Sequence, residues 1–249
     1  MATMEKIQSR QKVAEEVADH LRDSILKGQY QAGDKLPPER ALAQQLGVNR
    51  ASLREALKSL EHGGLVRIRQ GDGTRVLDFL HTAGLDLLTY LAPLPSGGVK
   101  VVKDILEFRQ ILGRELARLA AERATEDQLE SLRAIAARRP TDPVGVLHQD
   151  IDFYCELSRV GGNLVFTLLL NSVRALVNQF SGLLTDVNAA PEQIWRHQEQ
   201  IVAAVAKGDG QGAWSAADQQ LQRGKEHLLA KWGPVPEVRV AMPPHETAG

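Results

Sequence analysis

Arg50, Ser52 and Arg54 form a short stretch whose side chains suit nucleic acid. On a helix, Arg50 and Arg54 share one face and Ser52 lies on the neighbouring face. Guanidinium and hydroxyl groups in a first helical turn match base edges and phosphates, and arginine can give two parallel hydrogen bonds to guanine. Arg40 lies early in a preceding helical stretch, where a phosphate contact is expected. Any one of these arginines is equally a solvated surface charge. Their order and spacing point to DNA.

A second group lies further on. Asp150 and Tyr154 are four residues apart on one helix face, and His197 falls on a later helix. Arg109 interrupts a long stretch with an otherwise apolar face, and a buried guanidinium needs a counter-charge. Asp150 can supply it, and so can the carboxylate or phosphate of a ligand. Two readings of this group stand open: a satisfied polar cluster in a core, or anchors of an effector pocket. No Ser-His-Asp order, glycine-rich phosphate loop or glycine-flanked serine occurs, so no enzyme activity is expected. Cys155, the only cysteine, reads as an inert buried thiol without a basic neighbour.

The elements that carry these residues are legible. Val13, Val17, Leu21 and Ile25 repeat at four-residue spacing and predict a helix over residues 10–27, stopped by Gly28. Pro37 and Pro38 open a helix over residues 39–46, and Gly47 ends it. Asn49 is placed to cap the next helix, which Gly63 and Gly64 end. Val66 and Ile68 then alternate with Arg67 and Arg69, and Gly71-Asp72-Gly73 is turn chemistry before a returning strand. Helix, helix, tight turn, helix and β-hairpin make a winged helix-turn-helix, whose third helix can enter a major groove.

Beyond Asp78 the pattern is helical throughout. The fold expected is mainly α: an N-terminal winged helix-turn-helix with a small β-hairpin wing, and a C-terminal antiparallel α-helical bundle. The divisions are 1–78 for DNA binding, 79–99 for a linker and linker helix, 100–232 for effector binding and dimerisation, and 233–249 for a loose tail. Residues 164–184 form the most apolar stretch and are expected to run through the core.

The chain has 249 residues, consistent with two domains at roughly 150 residues each. Its 43% hydrophobic and 24% charged residues exclude a disordered chain or a disulfide scaffold. Aromatics at 4% argue against a β-rich core. Net charge is −1, but residues 34–75 carry eight basic against five acidic side chains, a mild basic bias at the front. The longest uncharged run, between Arg159 and Arg174, falls short of the about 20 apolar residues of a membrane span. The N-terminal MATMEKIQSRQK lacks the apolar core of a signal peptide. With a lone cysteine fitting a reducing compartment, a cytoplasmic protein without membrane contact is expected.

The segment LPPERALAQQLGVNRASLREALKSLEHGGLVRIRQGDGTRV closely resembles the DNA-binding domain of the GntR family of bacterial transcription regulators. With the first helix, the likeness covers about residues 10–77. It implies that Arg40, Arg50, Ser52 and Arg54 touch double-stranded DNA, and that Gln70 and Gly71 at the wing tip enter the minor groove. Relatives often carry His where Gln70 stands. A homodimer on a palindromic operator is expected, because two-fold symmetry doubles the contacts of one small domain.

The remainder resembles the all-helical effector domain of the FadR subgroup. The carriers are Glu107-Phe108-Arg109 with Leu119-Ala120-Ala121, Asp150-x-x-Phe153 with Gly162-Asn163, and His197-x-x-x-Ile201 with Gly208-Asp209. Many members of that subgroup hold a divalent metal on an Asp, a His four residues later, and one His on each of two later helices. The resemblance places Asp150, Tyr154, His197 and Gln220 at those positions. Tyr154 and Gln220 are weak donors, so no metal and no cofactor are expected. His227 lies roughly 10 Å further along its helix than Gln220 and is no substitute. The metal-free condition and the Asp78–Leu91 linker resemble the branch that responds to fatty acyl-CoA. The effector expected is therefore a fatty acyl-CoA or fatty acid, held near Arg109, Asp150, Tyr154, His197 and Gln220, in a repressor of fatty-acid metabolism. A metal-dependent sensor of small carboxylates is the alternative within the family. A DNA reader with a non-sensing dimerisation bundle is the alternative outside it.

Overall fold

In the computed structural model, residues 2–91, 98–179, 181 and 191–232 are described. The expected tail at 233–249 lies outside them. The chain falls into two compact units.

The first unit begins with α1 (Ala2–Leu26), α2 (Glu39–Gln45) and α3 (Arg50–His62). Two strands follow, β1 (Val66–Arg69) and β2 (Gly73–Val76), paired antiparallel with Val66 opposite Val76 and Arg69 opposite Gly73. Gly47 takes φ 66° between α2 and α3, a left-handed conformation that glycine adopts without a Cβ penalty. The Asn49 side chain accepts from the Ser52 backbone N–H at 2.9 Å, capping α3 as its sequence predicts. Leu21, Leu42, Leu53, Leu57 and Leu60 are buried together, and Val66 of the wing closes the same core.

The stretch expected to be a linker helix is three short pieces: α4 (Phe79–Thr82), a 3-10 turn (Leu85–Leu87) and α5 (Leu88–Leu91). Ala83 is extended at ψ 155°, which breaks the helix. These pieces belong to the first unit's core. Leu87 is buried, Phe79 and Leu91 pack against the same cluster, and the Arg22 guanidinium lies 3.5 Å from the Tyr90 ring centroid. The Thr82 hydroxyl also donates to the Gly64 carbonyl at 2.7 Å.

The second unit is helical: α6 (Gly98–Arg123), α7 (Glu126–Ala136), α8 (Pro143–Val160), α9 (Leu164–Gln179), α10 (Pro191–Ala206) and α11 (Gly210–Trp232). The helical domain thus begins at Gly98, before the boundary read from the sequence. Thr125 and Gln128 form a reciprocal capping box on α7, and Asp142 caps α8 ahead of Pro143. Helix α6 packs against α8, α10 and α11, while α7 spans α8 and α10. Leu116, Leu132, Phe153, Leu157 and Ile201 fill the middle.

Helix α9 departs from expectation. Leu170, Val173, Leu176 and Val177 are buried, but Leu164, Val165 and Leu168 are 71%, 63% and 57% exposed. It covers the bundle with one face instead of running through it. Its hydrophobic residues surround the helix, and such a pattern does not say which side meets a neighbour.

Candidate DNA interface and effector site

Helix α3 turns Leu53, Ala56, Leu57 and Leu60 inward and leaves Arg50, Arg54 and Lys58 exposed. Arg40 is exposed in the first turn of α2. Arg50 and Arg40 have no acidic partner among the described residues. Arg54 Nε donates to Glu39 Oε2 at 2.7 Å, so the guanidinium is aimed from α2. Gln70 and Gly71 are exposed at the hairpin tip, where Gly71 has φ 83°. Next to them Asp72 bridges Lys35 at 3.2 Å and Arg75 at 3.0 Å. The hydrogen bond from Arg75 first, then that from Lys35, holds the Asp72 carboxyl below its ordinary range.

Ser52 does not join this surface. It is fully buried, and its hydroxyl has no hydrogen-bond partner. The expectation of a DNA contact there is corrected: the residue packs inward, four positions before Ala56.

In the second unit the structure gathers Arg109, Asp150, Tyr154 and Gln220 around one carboxylate. Asp150 is 1% exposed. Its Oδ2 accepts from Arg109 Nη2, and its Oδ1 accepts from Gln220 Nε2 at 2.7 Å and from Gln198 Nε2 at 3.0 Å. Tyr154 donates its hydroxyl to Gln220 Oε1 at 3.3 Å, and Arg109 lies over the Tyr154 ring at 5.6 Å. Burial, and then the Asp150 charge, push the Tyr154 phenol far above its usual range. Behind Gln198, Gln149 donates to its Oε1 at 2.6 Å. The N–H groups of three helices, α6, α10 and α11, converge on one buried anion of α8.

His197 stands beside this cluster and not in it. Its Nδ1 pairs with Gln200 Oε1 at 3.2 Å and its Nε2 with Arg223 Nη1 at 3.3 Å. Burial first, then the Arg223 and Arg196 charges, lower its pKa and keep it neutral. The residue of α10 that meets Asp150 is Gln198, which corrects the assignment of His197 by one position. Gln198 lies four residues after Ile194 and four before Val202, both apolar, and this spacing is the signal that marks its inward face. Arg109 finds its counter-charge in Asp150, one of the two options left open. Cys155 is partly buried and its thiol is pushed up by burial, with Arg174 as an opposing basic neighbour that the sequence had not revealed.

The divalent metal implied by the resemblance does not suit these residues. The donors at the four positions are one carboxylate, one imidazole, one amide and a protonated phenol; the carboxylate is already held by Arg109, and His197 pairs with Gln200 and Arg223 instead. No cluster of three His, Cys, Asp or Glu side chains occurs among the described residues.

The sequence profile of the bacterial regulatory proteins of the gntR family matches residues 13–76. That of the FCD domain matches residues 104–223. The chain is 37% identical over 229 residues to the HTH-type transcriptional regulator Mce2R of Mycobacterium tuberculosis, covering 89% of this chain and 94% of that protein. It is 31% identical over 242 residues to the Uxu operon transcriptional regulator of Escherichia coli, covering 91% and 90%. A solved structure of Lar, described as controlling the Listeria monocytogenes agr system, matches with TM-score 0.56 and 18% identity. That match covers 86% of this chain and 95% of the other, and concerns the fold alone. The chain belongs to the GntR family and is a helix-turn-helix transcriptional regulator with an FCD effector domain. No helix among the described residues is long and apolar enough to cross a membrane.

Proposed function

We propose that this regulator binds a palindromic operator as a homodimer, reading base edges with Arg50 and Arg54 of α3, and that a small carboxylate bound in its helical domain controls that binding. The observation that carries the DNA reading is the division of α3 into a leucine-lined inner face and an outer face of Arg50, Arg54 and Lys58. Arg40 supplies a phosphate contact, and Gln70 and Gly71 supply the wing contact. A winged domain of this size reads few base pairs, and a two-fold partner supplies the second half-site.

The anionic effector is supported by charge. Asp150 neutralises Arg109, but neither Arg196 nor Arg223 meets a carboxylate among the described residues. A ligand carboxylate near His197 would give Arg223 that partner through a charge-assisted hydrogen bond. The fatty acyl-CoA or fatty acid effector of a fatty-acid repressor is the second reading. The buried side chains of α9 fill the core and do not line a slot for an acyl chain there. What favours it is the exposed apolar surface of Leu164, Val165 and Leu168.

Thermal melting and operator-shift titrations with two ligand series separate the readings. Short carboxylates that stabilise the protein, with the effect lost in Arg223→Ala, support the first. Stabilisation that grows with acyl chain length, unchanged in Arg223→Ala, replaces it with the second. No response to either series leaves a DNA reader with a dimerisation bundle.

A further inference from the structure

We infer that the Arg109 guanidinium takes the place of the divalent metal implied by the family, so that the effector domain works without a metal ion. The inference rests on the proposed function, with the effector bound beside the Asp150 cluster, near His197 and Arg223. It begins with how completely Asp150 is used. Both carboxylate oxygens accept hydrogen bonds, from Arg109 on one side and from Gln198 and Gln220 on the other. The amides are held in this orientation from behind. Gln149 donates to the Gln198 carbonyl and Tyr154 donates to the Gln220 carbonyl. Those carbonyl oxygens are the only amide atoms able to ligate a hard cation. They are turned away from Asp150. A metal could enter only if Arg109 left and both amides turned over, breaking the bonds behind them.

A separate observation on α6 agrees. A Cβ at Gly113 would lie 2.9 Å from Tyr154 Cε1 and 2.5 Å from Leu221 Cδ1. The helix carries no side chain where the phenol ring sits, so α6 is fitted to a tyrosine at this position. The charge balance also changes. A divalent ion on one carboxylate leaves the site positive, whereas one guanidinium on that carboxylate leaves it neutral. The pull on an anionic ligand then falls to Arg223 and Arg196, which lie beside His197.

The test uses the full-length wild type, purified and dialysed without chelator, with metal content by mass spectrometry and melting titrations with zinc, nickel and manganese ions. The expected result is far less than one metal per chain, no rise in melting temperature, and operator binding unchanged by EDTA. Replacing Arg109→Met, Tyr154→His, Gln198→His and Gln220→His together should install a zinc-dependent rise in melting temperature. Failure of that variant to fold leaves the wild-type measurements decisive. One metal per chain, or a zinc-dependent rise in the wild type that Asp150→Asn abolishes, would overturn the inference. A rise that persists in Asp150→Asn arises at another site and agrees with it. An effector response that EDTA abolishes sinks the metal-free site while leaving the regulator reading intact. Absence of any effector response in metal-free protein sinks the effector reading instead.

Discussion

Replacing Arg109 with methionine keeps most of the apolar stem of the side chain and removes the guanidinium, with its charge and its N–H donors. The consequence follows from Asp150, which is 1% exposed on its side chain, with Arg109 at 14%. The Asp150 carboxylate is out of reach of bulk water, so solvent cannot replace its lost partner. Breaking such a buried pair from one side typically costs about 3–5 kcal/mol, because the remaining charge stays desolvated. The amides of Gln198 and Gln220 still donate to Asp150, which places the expected loss at the lower end, about 3 kcal/mol. At about 2–4 °C per kcal/mol for a chain of this size, the melting transition of the helical unit falls by roughly 6–12 °C. Asp150→Asn added to Arg109→Met removes the stranded charge. Its amide oxygen still accepts from Gln198 and Gln220, and one buried amide NH2 group goes unpaired, at about 1–3 kcal/mol. The double variant should therefore be as stable as Arg109→Met or more so. Urea unfolding of the four members of this cycle, followed by circular dichroism, measures the coupling. A loss under about 1 kcal/mol for Arg109→Met, or a double variant that loses the sum of both singles, would refute a desolvated ion pair at the centre of the domain.

At the DNA face, Arg50→Ala and Arg54→Ala should each weaken specific operator binding by about 1–3 kcal/mol with folding intact. Arg40→Ala should weaken binding to all sequences alike and lower the salt slope, read by fluorescence anisotropy across a salt series. Ser52→Ala should leave operator affinity unchanged, since the hydroxyl is buried and unpaired, and a loss comparable to Arg54→Ala would contradict its burial. His197 is neutral in the folded protein and its pKa is lowered, whereas an unfolded histidine takes up a proton below about 6.5. Folding stability should thus decline as pH falls through 6.5, by a component that His197→Gln abolishes in pH-dependent denaturation curves.

The front unit was legible in detail because its signals are local. A glycine with positive φ, an asparagine cap and a two-residue alternation act within a few positions of themselves, and Gly47, Asn49 and Val66–Arg69 do as their types dictate. Ser52 was misread because residue type was weighed above helical angle, although its spacing to Ala56 already pointed inward. The linker was misread for the opposite reason. Its helix was expected from resemblance, but the extended backbone at Ala83 and the docking of Leu87 and Tyr90 are decided by the helix-turn-helix core. In the bundle, Asp150 with Tyr154 could be found from spacing alone. Gln198 could not compete with its neighbour His197 while a strong donor was being sought. The pairing of Arg109 with Asp150 joins residues 41 positions apart, and no local pattern encodes it. The outward Leu164, Val165 and Leu168 show the same limit, since hydrophobicity all round a helix does not reveal which side is covered.

Selection of bound sequences from a random double-stranded DNA pool tests the central claim most directly, run in parallel with wild type and with Arg54→Ala. The wild type should enrich an inverted repeat bound by two chains, and Arg54→Ala should lose preference at one symmetric pair of positions while keeping the repeat. Failure of the wild type to enrich any sequence, or enrichment of a site whose preferences are indifferent to Arg54, would contradict the claim.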